Sequence, residues 1–366
     1  GIDLYLFNRG NNNQLAPAEA KIIEGNIRNQ KEAKEKLKNY NFDAVVDWVA
    51  FTPEHIKNDI QIFRGKTDQY IFISSASAYQ KPQTSYLVDE STPLANPYWE
   101  YSQNKIACEN ILMAEYRKND FPITIVRPSH TYGKTSIPAA LNSHKAPWSL
   151  VDRMRRGKKI LVHGDGSSLW TMTHNSDFAK AFIGLLGNMQ AIGHAFQITS
   201  DETLNWNQIF RSIARAAGVE DVDLVHVASE KIAEYDQSFR GSLLGDKSVS
   251  VVFDNSKIKR FVPGFEAEVP FAKGIKESIE WFDAHPDEQK IDHTGEESGV
   301  MKMDIPESNR SMYGKCGKNH GKGYKNAQID KGKAIQIVRP QAPNIQVTPD
   351  QQRVIGKIHK VKKFSP

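Results

Sequence analysis

The feature that most constrains this sequence is an alternation of short apolar runs with helical patterns over its first 130 residues. The runs predict strands at 3–8, 20–24, 44–49, 69–74 and 123–127, and the patterns predict helices at 30–40, 54–64 and 97–118. Such alternation is typical of a parallel sheet covered by helices on both faces. Asn96 followed by Pro97 predicts the start of the longest helix, because Asn caps well and Pro suits the first turn.

Beyond residue 133 the pattern changes to loops and mixed elements. It predicts helices at 148–156, 176–186, 206–217 and 271–284, and strands at 159–163, 195–199 and 224–227. We therefore divide the chain into a sheet domain at 1–133, a smaller α/β lobe at 134–290 and a tail at 291–366. The lobe is expected to shape a pocket at the carboxyl ends of the strands.

The positive charge of the chain is concentrated in the tail. The whole chain has a net charge of +5, but residues 295–366 carry 14 Lys and Arg against 6 Asp and Glu, a net of +8. Residues 1–294 then have a net charge of −3. The tail is also rich in Gly, Lys, Asn and Gln, a composition that buries little surface. We expect it to be disordered, or ordered only by a partner.

Several classes of protein are excluded by composition. No apolar run approaches the roughly 18 residues of a membrane helix, so no membrane association is expected. Two cysteines, Cys108 and Cys316, cannot build a disulfide framework, which favours a cytoplasmic location. Cys316 and His320 lack a second pair of ligands, so no metal site is predicted. Cys108 is interpreted as a buried apolar residue.

Three segments together carry a catalytic pattern. The strand at 69–74 runs into Ser74-Ser-Ala-Ser77, the long helix contains Tyr101 and Lys105, and the strand at 123–127 ends in Arg127-Pro128. Tyr101 and Lys105 share a helix face, and an ammonium beside a phenol lowers its pKa toward neutrality. A strand-end serine could hold a substrate oxygen in line with the phenol. Taken singly, Tyr101 could be an ordinary helical aromatic, and the serines could simply close a strand.

In this combination the chain resembles an extended short-chain dehydrogenase/reductase of the NAD-dependent epimerase/dehydratase kind, over roughly residues 1–290. The resemblance implies a Rossmann-like, doubly wound parallel sheet with a C-terminal substrate lobe. It also implies that Ser75, Tyr101 and Lys105 are catalytic, that Tyr101 and Lys105 bind the cofactor, and that Lys105 holds the nicotinamide ribose. The residues after the Arg-Pro strand would line the nicotinamide, namely Pro128, Ser129 and His130. His130 could equally be a hydrogen-bonded structural residue.

Two departures concern the cofactor. The family opens with a strand and a glycine-rich turn that binds the pyrophosphate, and no such glycine pattern occurs here. The first run resembles the family's second strand, so we expect the chain to be a fragment that binds dinucleotide poorly. At the end of this run stands Arg9, which favours the 2′-phosphate of NADP over the hydroxyl of NAD. A solvated loop arginine is the alternative.

A third departure concerns the substrate. Nucleotide-sugar members commonly place an arginine four residues after Gly-Asp-Gly, and this chain has Trp170 there. An indole stacks but cannot neutralise phosphate, so a nucleotide sugar is one candidate among small-molecule alcohols and ketones. Four arginines could substitute for the absent one: Arg153, Arg155, Arg211 and Arg240.

The leading hypothesis is an NAD(P)-dependent epimerase, dehydratase or reductase that acts by hydride transfer on a sugar-type or other alcohol or ketone substrate. The alternative is a non-catalytic RNA-binding member of the superfamily, like the plastid stem-loop-binding proteins, with the basic tail contacting phosphates. The resemblance also implies a homodimer through a four-helix face that includes the helix at 97–118.

Overall fold

A computed structural model of the chain describes residues 2–11, 13–143 and 145–292. The chain divides into two units, Gly1–Met312 and Tyr313–Pro366, and all described residues belong to the first. The expected disorder of the tail therefore lies outside the described residues, except for 291 and 292.

The strands and helices alternate along the chain as the sequence predicts. In chain order the strands are β1 Tyr5–Asn8, β2 Lys21–Glu24, β3 Val45–Asp47, β4 Tyr70–Ile73, β5 Leu87–Val88, β6 Ile123–Pro128, β7 His130–Tyr132, β8 Ile160–His163, β9 Leu169–Trp170, β10 Met172–His174, β11 Ala195–Ile198, β12 Leu204–Asn205, β13 Leu224–Val227 and β14 Val252–Phe253. The helices are α1 Gln30–Lys36, α2 Pro53–Phe63, α3 Glu100–Asn119, α4 Ser149–Arg155, α5 Asn175–Leu185, α6 Trp206–Ala216, α7 Ser229–Tyr235, α8 Arg240–Ser242, α9 Ser256–Phe261 and α10 Phe271–Ala284, with a π-helical turn at Leu243–Lys247 after α8.

The central sheet is parallel and has the strand order β11-β6-β4-β3. Side chains alternate between its faces along β4. Tyr70 and Phe72 pack in one apolar cluster with residues of α2 and α3, and Ile71 and Ile73 pack in another with residues of α5. Helices therefore cover both faces, which confirms the doubly wound α/β fold. The strand β11 and helix α5 come from the range 134–290 but belong to this sheet layer.

The strands β1 and β2 form a separate parallel pair, with Tyr5 opposite Lys21. Within the described part of the chain, β1 pairs only with β2, and β3 pairs only with β4. One edge of β1 and one edge of β3 are thus left unpaired by the described residues. The expectation that the chain is a fragment stays a prediction.

The remaining short strands surround a further apolar core, and two of them, β5 and β7, come from the range 1–133. The pairs β8–β13, β7–β10 and β5–β14 are parallel, and β9–β12 is antiparallel. Large buried side chains from α4, α6 and α10 fill the lobe, among them Phe210 and Phe282. His174 caps the start of α5 by accepting the Ser176 N–H. None of the helices in the described part has the length and apolar character to cross a bilayer.

The start of the long helix differs from the prediction. Asn96 does not cap it, because α3 begins at Glu100 with Trp99 as its N-cap residue. Asn96 is buried, and its Nδ2 donates to the carbonyls of Ser77 at 2.8 Å and Gly245 at 2.6 Å. The prediction that Asn96 caps the helix is therefore wrong, because its side chain binds the Ser77 and Gly245 carbonyls instead.

Candidate active site

The carboxyl ends of β4 and β6 and the first turn of α3 meet at a cleft of ≈ 730 Å³. Neighbouring parallel strands end at the same edge of a sheet, so the residues that follow β4 and β6 lie close together. Five of the predicted site residues line the cleft: Ser75, Tyr101, Pro128, Ser129 and His130. Lys105 and Arg9 are not part of this lining.

Ser75 follows β4 directly and has an extended backbone. Its Oγ lies 2.9 Å from Ser77 Oγ and accepts the Ser77 N–H at 3.2 Å. Ser77 is buried and its backbone carbonyl is bound by Asn96. The Ser75 hydroxyl is therefore fixed at the cleft by its neighbours.

Tyr101 lies in the first turn of α3, with its ring 4.9 Å from that of Trp99. Burial raises the pKa of the Tyr101 phenol, the Ser75 hydroxyl opposes this rise, and the Asp246 carboxylate adds to it. We predicted that Lys105 lowers the pKa, and this direction is wrong for the protein as described. The phenol is therefore protonated at neutral pH.

Lys105 is buried beneath the cleft, with 1% of its surface exposed. Its Nζ donates hydrogen bonds of 2.7 Å to the carbonyls of both Ala50 and Ile73. It also lies 4.7 Å from the ring centre of Phe72 and 5.8 Å from that of Tyr101. Burial lowers the pKa of the ammonium to about 8. Lys105 thus ties α3 to the chain after β3 and to β4.

The Arg-Pro segment of β6 contains a buried ion pair. Arg127 Nε and Nη2 donate to the two carboxylate oxygens of Glu109 at 3.0 and 2.6 Å. Ser74 Oγ donates to the same carboxylate at 2.5 Å. Because Glu109 lies on α3, this pair fixes the helix against the ends of β4 and β6. The next residues, Pro128 and Ser129, are placed at the cleft by that contact.

The sequence matches a family model described as the NAD dependent epimerase/dehydratase family over residues 1–199, more than half of the chain. The chain belongs to this family.

Two curated relatives illustrate the range of the family. The Arabidopsis thaliana chloroplast stem-loop binding protein of 41 kDa b is 24% identical over 239 residues, which cover 62% of this chain and 60% of that protein. The human dTDP-D-glucose 4,6-dehydratase is 22% identical over 223 residues, covering 59% of this chain and 57% of the enzyme. The chain thus spans less than two thirds of either relative.

The fold is shared with solved members of the epimerase/dehydratase family. A dTDP-glucose 4,6-dehydratase from Bacillus anthracis, solved in complex with NAD, superposes with a TM-score of 0.62 at 17% identity. The match covers 77% of this chain and 88% of the enzyme. At this identity the similarity shows the fold alone, and it agrees with the doubly wound sheet.

The cleft is also lined by residues that the sequence analysis did not assign to the site. Aromatic residues line it from four elements or loops: Trp48, Trp99, Trp170, Phe178 and Phe182. The rings of Trp48 and Phe182 are 5.4 Å apart, although Trp48 remains 52% exposed.

Two charged residues of the cleft were not predicted. Asp246 and Lys247 come from the π-helical turn and line the cleft near Tyr101. Burial raises the pKa of the Asp246 carboxyl, and the neighbouring lysines oppose the rise. No periodicity or motif in the sequence links this turn to the strand ends, since it follows Tyr101 by more than a hundred residues.

The four arginines considered as phosphate ligands do not line the cleft: Arg153, Arg155, Arg211 and Arg240. Arg155 forms a bidentate pair with Asp283 at 2.7 and 2.8 Å, and Arg153 Nε donates to the Lys159 carbonyl. Arg9 is exposed at the carboxyl end of β1. Among the described residues that line the cleft, Lys247 is the one lysine or arginine.

Proposed function

We propose that this chain exchanges hydride between a nicotinamide cofactor and the alcohol or ketone carbon of a sugar-type substrate, as an epimerase, dehydratase or reductase. The observation that carries the proposal is that Ser75 and Tyr101 line the same cleft as Pro128, Ser129 and His130. Membership of the family supports the reaction class, and the names of the relatives supply the sugar substrates.

Each candidate side chain has a role that its position allows. Tyr101 transfers the proton of the substrate hydroxyl, and it starts from the protonated form that donates to a ketone. Ser75 donates a hydrogen bond to the same substrate oxygen. Lys105 has three N–H donors, of which the Ala50 and Ile73 carbonyls take two. We propose that the third binds a ribose hydroxyl when the cofactor is present, which requires the buried ammonium to become accessible from the cleft beside Tyr101.

The residues present fit one half of a dinucleotide. Pro128 and Ser129 form a half-buried wall beside Tyr101, and the Ser129 side chain is fixed by a bond to the Thr171 carbonyl. When bound, the nicotinamide would accept or return the hydride. The sequence carries no glycine-rich turn for the pyrophosphate. We propose that Arg9, exposed at the end of β1, favours NADP over NAD.

The test uses the 366-residue chain, NADH and NADPH fluorescence titrations, and turnover with a panel of sugars and ketones. Tyr101→Phe should lower the turnover number by about a hundredfold or more while leaving cofactor affinity unchanged. Tyr98→Phe is the matched control, because Tyr98 is 44% exposed on the neighbouring loop. Equal turnover numbers for Tyr101→Phe and wild type would refute the role of Tyr101. The proposed function would be refuted if the wild-type protein converted none of the substrates.

RNA binding is the second candidate, and the similarity to the stem-loop binding protein favours it. The net charge of +8 over residues 295–366 could supply phosphate contacts. RNA affinity should then fall steeply with salt. Replacing Lys315, Lys318, Lys322 and Lys325 with Gln should flatten that dependence, and an unchanged slope would exclude the tail as the contact.

A further inference from the structure

We propose that the cleft binds an uncharged sugar ring and discriminates against a nucleoside diphosphate sugar, with Asp246 and Lys247 holding the sugar hydroxyls. The inference rests on the proposed function in placing the reacting carbon beside Tyr101. It goes further by naming the substrate class and the residues that select it. Nucleotide sugars are named for several relatives, so this chain would differ from them.

The first argument is the charge of the cleft. Lys247 Nζ lies 3.6 Å from Asp246 Oδ2, and the two side chains are only 12% and 10% exposed. Within the described lining, these are the one lysine or arginine and the one carboxylate, so their charges cancel. A diphosphate with about two negative charges would meet a single cation that is already paired, beside a repelling carboxylate. The free energy needed to remove the diphosphate from water would therefore be poorly compensated by contacts in the cleft.

The second argument is the aromatic wall. Lys247 Nζ lies 5.7 Å from the ring centre of Trp99 and 5.9 Å from that of Trp170. Trp170 is the fourth residue after Gly166, where the resemblance described above leads us to expect an arginine. A sugar ring has apolar C–H faces that pack on indoles and hydroxyls that need charged or polar partners. Half-buried Trp99 beside a carboxylate and an ammonium offers both, whereas Trp170 is only 4% exposed and stacks on Trp206.

The third argument is the rigidity of the charged pair. The Lys247 carbonyl accepts hydrogen bonds from Trp206 Nε1 at 3.2 Å and from Ser168 Oγ at 3.1 Å. Asn96 holds the preceding Gly245 carbonyl at 2.6 Å. In the turn itself, a Cβ on Gly245 would lie 3.0 Å from Trp99 Cβ and 3.0 Å from Asn96 Oδ1, so the turn is packed closely against these two residues. A fixed pair of this kind costs little conformational entropy when it binds hydroxyls.

The test is a binding titration of the 366-residue chain, followed by tryptophan fluorescence. The probes are free hexoses and their methyl glycosides on one side, and UDP, dTDP and UDP-glucose on the other. Wild type should give a saturable change with at least one uncharged sugar, and it should bind the nucleotides at least about tenfold more weakly. Asp246→Asn and Lys247→Met should each weaken the sugar by at least about tenfold, unlike the exposed control Lys276→Met.

A gain of function completes the test. Trp170→Arg should strengthen UDP binding by about tenfold or more, because it restores a bidentate phosphate ligand. The inference is overturned if wild type binds UDP-glucose more tightly than every uncharged sugar, or if no uncharged sugar gives a saturable change. If the wild-type protein converts a nucleotide sugar and Tyr101→Phe loses that activity, this inference is refuted and the proposed function is supported. If the protein binds an uncharged sugar but transfers no hydride, the binding inference is supported and the proposed function is refuted.

Discussion

The hydroxyl of Ser102 donates a hydrogen bond of 2.8 Å to the hydroxyl of Ser77. Ser77 Oγ in turn lies 2.9 Å from Ser75 Oγ. Because Ser77 accepts the Ser102 proton, its own hydroxyl proton is available to Ser75, and we infer that Ser77 donates to Ser75. The Ser75 proton is then left to point at a ligand oxygen in the cleft.

Ser102→Ala should therefore lower the turnover number of hydride transfer by about 3- to 10-fold with little change in the KM for cofactor, since Ser75 loses part of its orientation. Steady-state kinetics that separate kcat from KM measure this. Ser85→Ala, at an exposed loop position, is the control. A selective rise in KM would contradict the positioning role.

Lys105→Met should change how stability depends on pH. The pKa of Lys105 is lowered to about 8 in the folded protein, below its ordinary 10.5, so the folded state releases the proton first. Wild-type stability should then rise with pH from about 8 to 10.5 relative to the variant, by on the order of 1–3 kcal/mol. Urea unfolding at pH 7.5 and 9.5 measures the difference, with exposed Lys57→Met as the control. A pH-independent difference would argue against a buried charged lysine.

Asp59→Asn should stabilise the protein at alkaline pH. Burial and the neighbouring Asp47 carboxylate raise the pKa of Asp59, so the folded protein holds a proton that the unfolded chain has lost. Wild-type stability therefore falls as pH rises above the ordinary carboxyl pKa of 3.8, whereas the amide needs no proton. Thermal melts at pH 5 and pH 8.5 should show a gain in Tm that is larger at pH 8.5. An equal gain in Tm at both pH values would contradict a protonated Asp59 in the folded protein.

The Arg127–Glu109 pair should behave as a coupled unit. Arg127→Met or Glu109→Gln alone leaves a buried partner unpaired and should cost about 3–5 kcal/mol of unfolding free energy. The double variant should cost clearly less than the two single costs added together, because no buried charge remains. Denaturant unfolding of wild type, the two single variants and the double variant measures this double-mutant cycle. Additive costs would mean that the pair is not coupled.

Asn96→Asp should be more damaging than Asn96→Ala. A carboxylate cannot donate to the Ser77 and Gly245 carbonyls and would repel both, whereas alanine only leaves them unbound. We expect about 1–3 kcal/mol for alanine and a larger loss for aspartate at pH 7. Chemical denaturation ranks the two variants, and the opposite order would show that Asn96 does not bridge these loops.

The sheet and its long helices follow from local patterns, and for that reason the sequence predicts them well. The helix α10 has the predicted bounds Phe271–Ala284, because its apolar positions recur with helical spacing. The two- and three-residue strands such as β9 and β12 have no such signal. They exist only because a distant partner, here the antiparallel β12 for β9, supplies their hydrogen bonds.

The candidate site divides in the same way. Ser75, Tyr101 and Pro128 are predictable because strand ends and the start of a helix are local features that the topology brings together. Asp246 and Lys247 are placed by tertiary contacts of one turn with Asn96 and Trp206, which no spacing in the sequence encodes. The direction of the Tyr101 pKa shift was mispredicted because helix spacing alone omits the desolvation of the phenol and the Asp246 carboxylate.

The π-helical turn at Leu243–Lys247 has a consequence for how this cleft tolerates insertions and deletions. Its wide loop closes through the bond from the Ser248 N–H to the Leu243 carbonyl, five residues back. Compared with an α-helix, such a turn contains one surplus residue. Removing that residue would restore regular helical bonding and rotate the following side chains by about 100°. Deletion of Leu244, which precedes both charged residues, would therefore rotate Asp246 and Lys247 away from the cleft.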